Sequence, residues 1–195
     1  MVRCGISKAV FTLAVCAAAT ASFAAQPGTN GEDDKYIDIR TSGGDLHAGN
    51  DADAHKIGLP LYPGAQLRAE NASRNHANLS ISTENFGFTL IVANYDSEDS
   101  PDKVIQFYRN KLKKYGKVLE CHTNQRGGDV DAHAGDSDSA EGKELKCDEN
   151  NGPVVELKAG TKDDQHIVAI EPKDDHGGTT FAMVYIQTHG KQGDI

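Results

Sequence analysis

The chain reads as an α+β domain, an antiparallel β-sheet of about six to seven strands packed by one amphipathic α-helix. Three observations predict this. Short apolar or alternating segments recur, bounded by Gly, Pro, Asn and Asp. Residues 100–115 alone repeat apolar side chains at helical spacing. Three strand-like segments precede that helix and about four follow it, so the helix packs on one sheet.

The expected layout is a signal peptide over 1–24, a flexible acidic segment with a β-hairpin over 25–56, the α+β domain over 57–189, and a tail over 190–195. Met1, Arg3 and Lys8 form a basic start, and "AVFTLAVCAAATASFAA" is apolar or small throughout. That run is shorter than a membrane span of about 20 residues and ends in small residues. Cleavage after Ala24 places Ser22 and Ala24 where small side chains are required. The expected location is therefore periplasmic or secreted. "LAVC" also resembles a lipoprotein cleavage box with Cys16 as the lipidated residue, but Val15 stands where a small residue belongs, so anchoring is the less favoured reading.

Within 25–56, "KYIDIR" alternates Ile37 and Ile39 with Asp38 and Arg40, "TSGG" can turn and "DLHA" can return. "LYPGA" fits a type II turn, with Pro63 setting the first corner and Gly64 supplying positive φ at the second. "AQLRAE" and "ANLSIST" alternate as half-buried strands do. "FGFTLIVANY" is apolar on both faces, which predicts a central strand with Phe86, Phe88, Leu90 and Val92 on one side and Ile91, Ala93 and Tyr95 on the other.

The helix follows. Ser100 is the expected N-cap, its hydroxyl accepting from a first-turn amide. Pro101 suits the first helical position and Asp102 the positive end of the helix dipole. Val104, Tyr108, Leu112 and Tyr115 recur at four, four and three residues, widened by Ile105 and Phe107. Lys113 and Lys114 suit the C-terminal end, and Gly116 the left-handed terminating position. "KVLEC", "PVVELKAG", "QHIVAIE" and "TTFAMVYIQTHG" are the remaining strands, and no internal repeat is seen.

The net charge is −9, and losing Arg3 and Lys8 with the leader takes it to −11. This argues against nucleic acid and anionic membranes as partners. Two of the four cysteines lie in the leader, which leaves Cys121 and Cys147. In an exported chain such a pair reads as one disulfide. A metal pair with His122 is the rival, and the missing CxxC spacing favours the disulfide.

No catalytic constellation emerges. The chain has no GxSxG, HExxH, phosphate loop or dinucleotide fingerprint. "HGGTT" over 176–180 is better explained as a hairpin turn than as an oxyanion hole. His166 opens a strand, where a satisfied surface or edge imidazole accounts for it, and no carboxylate pair sits in an apolar setting. Asp129, Asp131, His133, Asp136 and Asp138 resemble calcium-loop spacing, yet Ala134 and Ala140 replace the required Gly and Glu. A solvated acidic loop is the favoured reading there, and a weak divalent-metal site over 129–141 the alternative. Lys103, Arg109, Lys113 and Lys114 form a candidate partner face, weighed against an ordinary wet helix face.

"GLPLYPGA" followed by "VANYDSEDSPDKVIQFYRNKLKKYGKVLEC" resembles a group of uncharacterised exported bacterial proteins. They share a proline-glycine corner, a long strand, and a Ser-Pro-initiated helix bearing FYR and ending in glycine. The match covers roughly 57–121, and "IDIRTSGGDLHAG" resembles the segment before the corner in such proteins. The resemblance implies export and the α+β fold, and no catalytic residues. The functional expectation is an exported non-enzymatic domain that binds a partner, with an envelope protein as the candidate, without a cofactor.

Overall fold

A computed structural model describes residues 36–68, 76–124, 144–147, 150–173 and 177–190. The elements are β1 (Ile37–Thr41), β2 (Gly44–Gly49), β3 (Gln66–Leu67), β4 (His76–Thr83), β5 (Phe86–Ser97), α1 (Pro101–Leu112), β6 (Leu119–Thr123), β7 (Val154–Thr161), β8 (Asp164–Pro172) and β9 (Thr179–Gly190). All strand pairs are antiparallel, in the order β1-β2-β4-β5-β9-β8-β7-β6. β3 pairs with β5 at Tyr95 and Asp96, beyond the end of β4.

The α+β class with a helix packed on the sheet stands as expected, with one α-helix and nine strands among the described residues where six to seven strands were expected. The difference is the hairpin, because β2 pairs with β4 and so carries both hairpin strands into the main sheet. The boundary drawn at residue 57 has no counterpart either. Ala52 and Ala54 are buried with Ile57 and Leu59 in the main core, and the Ala54 amide donates to the Tyr95 hydroxyl at 3.0 Å. β9 extends through Gly190, the first residue of the expected tail. The leader, with Cys16, and residues 191–195 lie outside the described residues.

The core forms where helix and sheet are both apolar. Val104, Ile105, Tyr108 and Leu112 of α1 bury against Leu157, Val168, Ile170, Phe181 and Met183. Ile91, Ala93 and Tyr95 of β5 join this core. On the other face Phe88, Leu90 and Val92 pack against buried Ile167, Val184 and Ile186. β5 is therefore apolar on both faces, as its sequence predicts.

The helix starts at Pro101 with Ser100 as N-cap in an extended conformation. The Ser100 hydroxyl makes no capping bond; its backbone carbonyl accepts from the Lys103 and Val104 amides at 3.1 and 3.4 Å. A 3-10 turn over Lys113–Tyr115 ends the segment at Gly116, φ +124°. At the corner the Ala65 amide donates to the Tyr62 carbonyl at 3.0 Å and Gly64 has φ +79°, the expected positive angle.

Candidate functional site

Alternation along β1, β2 and β4 sends polar side chains to the face on which α1 lies and apolar ones to the other. α1 reaches β7 and β8 and leaves this outer half uncovered by any described helix. The register sets Asp38, His47, Ser80 and Thr89 side by side across four strands.

His47 is the centre of this row. Its Nδ1 lies 2.8 Å from Asp38 Oδ1 and its Nε2 3.0 Å from Asp51 Oδ1. Two carboxylates at the two ring nitrogens favour the imidazolium. The Asp38 bond, then the Asp51 bond, raise its pKa against the opposing cost of burial. Burial works to raise Asp51, but hydrogen bonds from Lys56 and His47 prevail and hold it at about 2. Asn78 Nδ2 also donates to Asp51, at 3.2 Å. An Asp-His-Ser order invites a triad reading, which the bonding opposes. Both imidazole nitrogens are engaged, and the Ser80 hydroxyl shares its bond with Thr89 at 3.4 Å.

His166 forms a second cluster. Its Nδ1 bonds to the Ile57 carbonyl at 2.9 Å, its ring stacks on Tyr115 with centroids 3.5 Å apart, and Tyr185 lies beyond at 4.8 Å. Lys114 Nζ and the Tyr115 hydroxyl both donate to the Gly58 carbonyl, at 2.7 and 2.6 Å. Burial depresses the His166 pKa. The imidazole is satisfied, as expected, but it is buried beneath the 57–58 segment instead of lying at a surface or edge.

Glu156, on the sheet face away from α1, is fully buried, with Lys158 Nζ 2.7 Å from Oε1. Neither Glu156 oxygen has a hydrogen-bond partner among the described residues, so the ammonium faces Oε1 as an ion pair outside hydrogen-bonding geometry. Alternation sets Glu156 and Lys158 on the side opposite Val155, Leu157 and Ala159, the pattern of a wet face, so the sequence offers no sign that both are buried.

The four basic residues of the candidate partner face are solvent-exposed and locally engaged. Lys103 pairs with Asp99 at 2.6 Å and Arg109 with Glu120. Lys113 Nζ donates to Asn110 Oδ1 at 2.9 Å, and Lys114 is held at Gly58. Beside Lys103, an open groove of about 330 Å³ is lined by Tyr62, Pro63, Gln106, Phe107 and Asn110. The Tyr62 hydroxyl there donates to Asp99 Oδ2 at 2.9 Å.

Cys121 and Cys147 form a disulfide. Asp129, Asp131, His133, Asp136 and Asp138 lie outside the described residues. Among the described residues no His, Cys, Asp and Glu cluster could hold a metal ion, and no helix is long and apolar enough to cross a membrane.

The outer apolar face is the feature that sequence reasoning passed over. Ile37 and Ile39 are 60% and 48% exposed, while Leu46, Leu79, Ile81 and Phe88 are half-buried beside them. The signal was present in the alternation of "KYIDIR" and "ANLSIST"; what was missing was the pairing that aligns these segments on one surface. No family model, curated protein or solved structure matches the chain.

Proposed function

We propose that this chain is an exported, non-enzymatic domain that binds a protein partner through the outer half of its sheet. The carrying observation is the apolar row from Phe88 through Ile81 and Leu46 to Ile39, which ends at an exposed edge strand. A contiguous apolar surface running to an unprotected edge is costly to leave in water, and such surfaces commonly mark binding sites. The engagement of His47 and His166 in fixed bonds supports a binding role over acid–base chemistry.

The test is retention of the purified chain on envelope fractions, comparing wild type with the double variant Ile37→Lys, Ile39→Lys. Both are exposed edge positions, so the melting curve should change little while retention is lost. Equal retention of the two proteins, or turnover in an activity screen that disappears in His47→Gln, would overturn the reading.

A further inference from the structure

We infer that the outer edge of β1 is a self-docking surface, at which two copies of the chain pair antiparallel about a twofold axis through Ile39. This rests on the binding role proposed for the outer sheet half and names its partner as a second copy.

The argument begins with backbone direction. β1 closes one end of the sheet, and among the described strands only β2 pairs with it. Thr41 is opposite Gly44 across Ser42 and Gly43. Those two residues adjoin in the chain and cannot bond to each other across the ladder, so Thr41–Gly44 is a hydrogen-bonded pair. Alternation then points the amides and carbonyls of Ile37, Ile39 and Thr41 toward β2. Those of Asp38 and Arg40 point outward, ready to accept another strand.

Charge selects the register. A twofold axis through Asp38 would set Asp38 against Asp38 of the second copy, and one through Arg40 would set two arginines together. Like charges directly opposite are destabilising. An axis through Ile39 sets each Asp38 opposite Arg40 of the other copy, which satisfies the outward backbone groups and both charges at once. Arg40 makes no ion pair among the described residues and has Asp45 beside it on β2. Each seam-crossing row would then read Asp45, Arg40, Asp38 and His47, alternating in sign, with His47 already bonded to Asp38. On the opposite face Ile39 meets Ile39 of the second copy as a close non-hydrogen-bonded pair, flanked by Leu46 and Ile81. The two outer apolar rows become one continuous surface.

A seam of one short strand is small by the standards of stable dimers, so association should be concentration-dependent, roughly in the micromolar range. Sedimentation velocity of the purified chain across that range should show monomer giving way to dimer. Arg40→Asp should weaken the dimer at least tenfold, and combining it with Asp38→Arg should restore it. Register is read separately by oxidation. Ile39→Cys should form a covalent dimer, because directly opposed non-hydrogen-bonded positions lie within disulfide reach. Ile37→Cys and Asp38→Cys should not.

A chain that stays monomeric at every concentration, or cysteine variants that cross-link equally or not at all, overturns the self-docking inference. If that happens while Ile37→Lys, Ile39→Lys still abolishes envelope retention, the binding role stands with a different partner. If those substitutions change nothing, the binding role falls as well.

Discussion

Tyr108 illustrates how one side chain joins the corner, the helix and the sheet. Its hydroxyl accepts from the Tyr62 amide at 3.1 Å and donates to Met183 Sδ at 3.4 Å, and its ring packs on Phe107 and Phe181. Tyr108→Phe leaves the packing and strands a buried amide, so it should cost about 1–3 kcal/mol in urea unfolding. Helical spacing revealed that Tyr108 faces inward. It could not reveal the hydroxyl's partners, which lie 46 and 75 residues away.

The half-buried His47 and the buried His166 should act on stability in opposite directions. His47 has a raised folded-state pKa, so its contribution is complete below about pH 6.5 and is lost as pH rises through the folded value. His166 has a lowered one, so its neutral form favours the fold above about pH 6.5 and stability declines as pH falls toward the folded value. In melting curves between pH 5 and 9, His47→Gln should remove part of the alkaline loss and His166→Gln part of the acid loss. The reverse assignment would contradict both environments.

At the scale of elements, α1 is the segment that the sequence describes best. Its span, its proline start and its terminating glycine were legible because each depends on residues within a turn or two. The unused Ser100 hydroxyl was not, since a serine at the N-cap shows that a side-chain bond is available and not whether the hydroxyl takes it. The stripe determines the energetics. Leu112→Ala should cost about 2–5 kcal/mol, because Leu112 is fully buried under the sheet. Lys113→Ala should stay within about 0.5 kcal/mol, because that side chain is exposed and its bond is to Asn110, a neighbour in the same helical segment. Urea titrations of the two variants give the contrast directly.

Across the whole molecule, one long pairing joins the early and late parts of the chain. β5 and β9 run together from Phe86 opposite Gly190 to Ser97 opposite Thr179. β6, the edge strand opposite β1, is tethered at Cys121 to Cys147 across a separation of 26 residues. On the chain-entropy view the bridge contributes about 3–4 kcal/mol, so reduction should lower the melting temperature. A curve indifferent to reductant, with both thiols shown to be free afterwards, would remove the bridge from the stability of the fold.

Periodicity, turn chemistry and terminator residues act over a few positions, which is why the helix, the Pro63-Gly64 corner, the two-faced β5 and the cysteine pairing could be read along the chain. Strand order could not. It depends on which apolar faces cover one another after residues far apart have met, and that placed the hairpin on β4, drew Ala52 into the core and buried Glu156 beside Lys158. The candidate binding row has the same origin, because its residues come from four strands and adjoin only once the sheet has formed.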